Sequence, residues 1–527
     1  MKVLVIGSGP CGVACTKGLL ERGCNVAMID AGEGLDAERR ELIDELGKLE
    51  PSEWDPADVT RLKYNPTFSQ PGVPRRRLFG SDFVFAGDRE YARLEVKDTS
   101  ITATYAKGGF STVWGASVLP IAESDMRDWP FGMSTLEPYY RRVMRDLPLS
   151  AEPGNHETHF PFFKENIETI PLPAQCAQLL ERMRTRESSL VSKGIRFGRS
   201  RLAVSNRQSD PEHGCISCGL CVYGCVPGAI YNSATEVETL RRTQSLEYIS
   251  GRIVRAVTEL ADSTRVSWRD AMGATGSADF AAVFVAAGAI NTTRLLLKLP
   301  NIRGERVNLL DSQKCMLPLV NVRATKGAVS EVAPIMAGAF IDLHPSDIDE
   351  HWVHTQVYAV NEPMLRRLRV ADASRNWIAR TVLSPVLNRS MLAWLSLHSD
   401  HSGTIAAQLD KDGEILTLTA QENPRTKPHA KRVAKRLFRL GLNFGTVFAW
   451  PAMQMGEPGS GHHVGGSFPM KREPRARTDT DIWGRPPGHS RLFAVDSTVM
   501  PSIAATTITL PAMANAWRIG REAPLPV

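Results

Sequence analysis

Residues 1–30 read MKVLVIGSGPCGVACTKGLLERGCNVAMID. An apolar run, Val3 to Ile6, leads into Gly7-x-Gly9-x-x-Gly12. Val13 to Arg22 then has the pattern of a helix, Gly23 ends it, and a second apolar run from Asn25 to Ile29 stops at Asp30. Strand, glycine turn, helix, strand and acid in that order predict a βαβ unit that binds a dinucleotide. Gly7 permits the tight turn, Gly9 lets a pyrophosphate approach the backbone, and Gly12 lets helix and strand pack closely. The helix N-terminus faces the phosphates with its partial positive charge, and Asp30 stands where a carboxylate accepts hydrogen bonds from a ribose. The motif alone does not separate FAD from NAD.

Outward from that unit, the pattern is interleaved. Residues 33–95 are polar, and Lys107-Gly-Gly-Phe-Ser-Thr-Val-Trp114-Gly115 follows them. Adjacent Gly108 and Gly109 ahead of Ser111 suit a backbone passing close to a planar ring or a pyrophosphate; a plain glycine turn beside a core tryptophan is the alternative. Helical patterns cover Leu136–Arg145 and Ala177–Arg186. A strand is predicted near Glu247–Val257, and another from Phe280 to Val285 runs into Gly288 and a helix, the return of the nucleotide-binding sheet. From about 310 to 455 the pattern becomes strand-like alternation (Phe340–Leu343, His354–Val360, Gly403–Leu409, Glu414–Thr419), with helices at Met364–Val370 and Ala430–Leu442. There is no internal repeat.

At 527 residues the chain has material for two to four domains or one interleaved pair. No apolar stretch approaches the ~18 residues of a membrane span. The first strand begins at residue 2, which leaves no room for a cleavable signal and favours a cytoplasmic protein. The charge excess, 63 − 57 = +6, is mild and gives no reason to expect a nucleic-acid partner. Cys11, Cys15, Cys24, Cys176 and Cys315 are scattered like ordinary core residues, a pattern that suits a reducing compartment.

The other four cysteines are ordered. Cys215, Cys218, Cys221 and Cys225 read C-x2-C-x2-C-x3-C, the ligand spacing of a ferredoxin-type iron–sulfur cluster. Such a cluster moves one electron at a time and implies an onward acceptor. A structural zinc site, a disulfide pair or unconnected buried thiols are the alternatives, although zinc usually joins two distant knuckles and no second knuckle is visible. The fourth cysteine is followed by Val226-Pro227, not directly by proline.

The C-terminal stretch holds Gly461-His462-His463-Val464-Gly465-Gly466, Leu492-Phe-Ala-Val-Asp496 running on to Pro501, and Thr506-Thr-Ile-Thr-Leu-Pro-Ala-Met-Ala514. Together with Gly7–Asp30 and Lys107–Gly115, this resembles the glucose–methanol–choline flavoprotein oxidoreductases over the first 120 residues, the Gly288 segment and the last 70. The resemblance implies an α/β chain: a Rossmann-like FAD-binding domain (1–150, 201–310 and 455–527, with the cysteine loop at 213–232) interleaved with an α+β substrate domain built on an antiparallel sheet (151–200 and 311–454). It further implies hydride transfer from a CH–OH group to flavin, with His462 as the base for the hydroxyl proton and Asp496 beside the flavin pyrophosphate and ribityl. A strand-end turn is the plainer account of Asp496.

Two departures qualify this. The family's Asn or His partner, six residues after the proline, is here Thr507, whose hydroxyl can make one hydrogen bond but cannot store a proton; a helix N-cap is its other account. Val113 occupies the position where pyranose oxidases carry the histidine joined covalently to flavin, so FAD is expected to be non-covalent. The cysteine loop resembles that of bacterial FAD-dependent sugar dehydrogenases: Cys215, Cys221 and Cys225 match three-iron ligands, and Cys218 as a fourth thiolate favours a 4Fe–4S cluster over a 3Fe–4S one. These resemblances point to a dehydrogenase acting on a sugar, glycoside or cyclitol, with a redox protein or quinone-like acceptor. An oxygen-using oxidase and a non-catalytic flavin electron-transfer module are the alternatives. Arg366, Arg367, Arg369, Arg375 and Arg380 form a basic stretch that suits an anionic group or a membrane surface, or a solvated helix face. Trp377 and Trp394 line a sugar site or pack in the core.

Overall fold

In the computed structural model of the chain, residues 2–63, 83–85, 91, 93–243, 245–344, 348, 350–367 and 383–526 are described. The basic stretch beyond the helix Glu362–Arg367, and with it Trp377, lies outside them.

Strand Lys2–Ile6 sits at the centre of a parallel five-stranded sheet, between Asn25–Ile29 and Val283–Val285, with Leu246–Ile249 and Leu492–Ala494 at the edges. Its residues from Val3 to Ile6 are buried, as expected where helices cover both faces. Helix Pro10–Glu21 follows the glycine turn and packs on the C-terminal helix Thr509–Glu522. The two backbones come so close that a Cβ on Gly18 would lie 2.5 Å from the Trp517 carbonyl oxygen, and one on Gly520 2.4 Å from that of Cys15. The last helix of the chain thereby closes the first βαβ unit.

The segment read as one strand over Glu247–Val257 divides. Gly251 adopts φ +72°, and the chain leaves the parallel sheet at Ile249 to begin an antiparallel three-stranded sheet at Arg252–Glu259. The two halves share β propensity, but the turn sends them into different sheets.

The second region is antiparallel. Thr446–Phe448, Lys314–Asn321, Ser390–Ser396, Val353–Ala359, Ala339–Leu343 and Ile195–Arg199 lie side by side, with Gln454–Met455 also pairing with Lys314–Asn321. One face of this sheet, including Cys315, Leu317, Ile341, Val353, Val357, Ala393 and Leu395, is buried against helices Ala174–Arg184 and Thr426–Gly441. A further five-stranded sheet joins the two regions. In it Arg306–Asp311 pairs with Val464–Gly465 on one side and Thr404–Leu409 on the other, and Arg93–Lys97 supplies the edge beside Ile415–Gln421. The molecule is therefore α/β, with an antiparallel sheet region interleaved in sequence with a Rossmann-like unit. No helix among the described residues is long and apolar enough to cross a membrane.

Candidate active site

A long cleft, with about 1570 Å³ of empty space including its open mouth, runs along the C-terminal ends of the parallel strands. Gly7, Gly9, Asp30, Gly109, Ser111, Trp114, Gly288, Asp496 and His462 all line it. Gly12 lies just behind the wall, where a Cβ would fall 2.0 Å from the Gly7 carbonyl oxygen. A Cβ on Gly9 would meet nothing within 4 Å, so at that point the backbone is bare toward the cleft. Gly108, at φ +83°, is the left-handed residue before the turn Gly109–Thr112. Its amide donates to Ser8 Oγ at 2.8 Å, and Ser8 in turn donates to Asp30 Oδ2.

Burial pushes the Asp30 carboxyl up to about 6, while its bonds from Ser8 and the local amides act in the opposite sense. Asp496 is tied more firmly: Oδ2 accepts the Gly288 amide at 2.9 Å and the Thr292 hydroxyl at 2.5 Å, and Oδ1 accepts the Thr498 amide at 3.0 Å. It thus holds the second glycine turn against the end of strand Leu492–Ala494. The bare Gly9 backbone, the acid at the end of the second strand and the helix N-terminus between them fit the pyrophosphate and ribose of a dinucleotide.

At the cleft wall, His462 is exposed and has φ +55°, a left-handed conformation rare for a residue with a Cβ. Its ring lies 5.3 Å from that of Phe110 at 40°. Strain of this kind persists where the surroundings over-determine it. One tether is Asp311, whose Oδ2 accepts the Gly459 amide at 2.8 Å; the Gly459 carbonyl then accepts the His462 amide at 3.1 Å. Burial pushes the Asp311 carboxyl up to about 7. Nothing in its local sequence marks Asp311, which the pairing of Arg306–Asp311 with Val464–Gly465 brings beneath the turn. His463 faces Lys314, its Nε2 3.4 Å from Nζ.

Thr507 is buried and is not among the residues lining the cleft. Its Oγ1 accepts the Leu119 amide at 2.8 Å. Val113 packs in an apolar cluster with Val84, Phe85 and Ala106. Trp394, half-buried, points away from the helix-covered face of the antiparallel sheet, in register with Met316 on one neighbour and Gln356 on the other. The Tyr358 hydroxyl donates to Gln356 Oε1 at 2.9 Å on this face, and a Cβ on Gly461 would lie 3.1 Å from the Lys314 side chain.

Cys215, Cys218, Cys221 and Cys225 line one small chamber together with Val204, Ile230 and Met336. Ser217, Gly219 and Gly224 take positive φ and turn the loop around it. All nine cysteines are free thiols, so the disulfide alternative is not realised. No three of the four loop sulfurs lie within 4.8 Å of one another, whereas a tetrahedron of Zn–S bonds of about 2.3 Å would bring all four to within about 4 Å. Burial raises all four thiols, Cys225 up to about 12, and for Cys218, Cys221 and Cys225 the neighbouring thiols add to this. A metal centre would have to displace those protons. Trp114, in the cleft wall, donates from Nε1 to the Tyr231 carbonyl at 2.8 Å, next to Ile230 of the chamber.

Pyridoxine 4-oxidase from Mesorbium loti superposes on the chain with a TM-score of 0.60, covering 99% of this chain and 98% of that one at 13% identity. The chain has that fold. At this identity the likeness is one of architecture. No protein-family model matches the sequence, and no curated protein matches it.

Proposed function

We propose that this chain is an FAD-dependent oxidoreductase of the glucose–methanol–choline kind, oxidising a hydroxyl of a sugar, glycoside or cyclitol to a carbonyl. The observation that carries the proposal is the placement of the strained His462 in the wall of a cleft built like a dinucleotide site. FAD bound there non-covalently supplies the acceptor for the hydride that leaves the carbinol carbon. His462 takes the hydroxyl proton as that C–H bond breaks, and a neutral imidazole near pH 7 is a base of suitable strength. Phe110 and the Asp311–Gly459 tether hold its ring while it does so.

The four loop thiols are suited to hold an iron–sulfur cluster, four-iron before three-iron, which supplies one-electron transfer to a redox protein or quinone-like acceptor. The shared chamber supports this. Nine free thiols support a cytoplasmic setting. The fold neighbour, an oxidase by name, favours a second reading, in which dioxygen is the acceptor and peroxide a product.

Anaerobic purification with flavin, iron and acid-labile sulfide analysis tests the cofactors, and a panel of sugars, cyclitols and alcohols that bleach the flavin absorbance tests the chemistry. Bleaching by a sugar, activity with one-electron acceptors and little peroxide support the dehydrogenase. Fast peroxide production from a preparation without iron or sulfide supports the oxidase, and bleaching by no member of the panel overturns the alcohol chemistry.

A further inference from the structure

A second group of side chains stands apart from the cleft and the cysteine chamber. His351 precedes strand Val353–Ala359, and His398 leads from strand Ser390–Ser396 into the short turn Ser399–His401 that carries Asp400. These strands are neighbours, with His354 opposite Ser396. Asp125 arrives from the turn Glu123–Met126, more than 200 residues earlier in the chain.

We propose that His351, His398 and Asp400 bind a divalent transition-metal ion, zinc by the chemistry of the donors. One ligand atom from each lies within 4.8 Å of the others. Asp400 Oδ2 is 3.0 Å from His351 Nε2, and Oδ1 is 3.5 Å from His398 Nδ1, which accepts the Asp400 amide at 3.3 Å and would exchange that bond for the ion. Two imidazoles and a carboxylate are a donor set typical of zinc. Behind His351, Asp125 Oδ1 lies 3.2 Å from Nδ1. A carboxylate in that position fixes the imidazole's tautomer and leaves Nε2 to face a metal.

Charge and burial point the same way. Arg127 Nη2 lies 3.2 Å from His351 Nε2, but that guanidinium is matched by Glu350 at 2.7 Å. Asp125 and Asp400 place two carboxylates beside the two imidazoles. His398 is 1% exposed and its Nε2 has no hydrogen-bond partner, nor has Asp125 Oδ2; orphaned polar atoms at such depth call for an explanation. Asp400, with 47% of its side chain exposed, gives an entry path and room for a water ligand. The His351 and His398 rings stack at 3.6 Å and 9°. Parallel rings aim their nitrogens side by side, so binding turns one ring until both lone pairs converge.

The site sits where the two regions meet. The Ser399 amide donates to the Ile503 carbonyl at 2.9 Å and the Ile503 amide to Ser399 Oγ at 3.1 Å. An ion here would hold the antiparallel sheet to the segment that leads to Thr507.

The test is titration of the EDTA-washed holoprotein with zinc chloride, read by calorimetry and by metal analysis after desalting, for wild type, Asp400→Asn and His398→Ala. The cysteine loop is the same in all three, so zinc taken up there cancels. Wild type is expected to bind one more zinc per chain than either variant, or to bind that equivalent at least tenfold more tightly, and to gain more thermal stability from it. Asp400 is half-exposed, so Asp400→Asn decides the matter even where His398→Ala fails to fold. Equal stoichiometry and affinity in wild type and Asp400→Asn would overturn the proposal.

Discussion

Asp311 Oδ2 accepts the amide proton of Gly459 at 2.8 Å, three residues before His462. The carboxyl is fully buried, and that burial lifts it from 3.8 to about 7 despite the Gly459 amide and the Lys314 charge. Between those two values the folded chain keeps a proton that the unfolded chain releases. Stability is therefore expected to fall as pH rises from about 4 to about 7, by up to about 1.4 kcal/mol per pH unit from this group. Asp311→Asn removes that contribution. Urea unfolding at pH 5 and pH 7 checks it: the variant should lose less stability across the interval, and equal losses would show that Asp311 does not titrate there.

His462→Ala is expected to slow flavin reduction by roughly 10²–10⁴-fold, the usual share of a general base, while the flavin content stays near wild type. Stopped-flow bleaching with a substrate found by the panel makes the measurement. Reduction at the wild-type rate would remove His462 from the chemistry.

Thr507 should behave differently, because its hydroxyl is engaged with the Leu119 amide. Thr507→Ala leaves a buried N–H without a partner, at a cost of about 1–3 kcal/mol, whereas Thr507→Ser keeps the bond and most of the stability. Denaturant midpoints give the first quantity and flavin reduction rates the second. A large rate loss in Thr507→Ala at unchanged stability would instead place the hydroxyl at the substrate.

Replacing Cys221 or Cys225 by Ser is expected to abolish iron and acid-labile sulfide while leaving bound flavin and its reduction by substrate largely intact. The loss should appear in the rate with one-electron acceptors. Iron content unchanged in both variants would exclude the loop as its site.

The first βαβ unit, the strand–glycine–helix return at Val283–Leu297 and the cysteine spacing were legible because each is local. Periodicity and glycine spacing act between residues a few positions apart, and the backbone conformations they demand need little help from the rest of the chain. The histidine turn was legible for the same reason, since Gly461, Gly465 and Gly466 lie within four residues of His462.

Local signals carried nothing about partners far along the chain. Glu247–Val257 has uniform strand character, yet its halves go to different sheets because one packs beside Asn25–Ile29 and the other does not. Trp394 has a sidedness only once its strand lies between Met316 and Gln356. Thr507 meets Leu119 across 388 positions, and Asp125 meets His351 across 226. By itself, the sequence determined the first βαβ unit, the grouping of four thiols in one loop and the glycine setting of His462. Tertiary structure alone decided which hydroxyl was already engaged, which carboxylate stood beneath the histidine turn and which histidines met, because those outcomes depend on long-range packing that leaves no periodic trace in the chain.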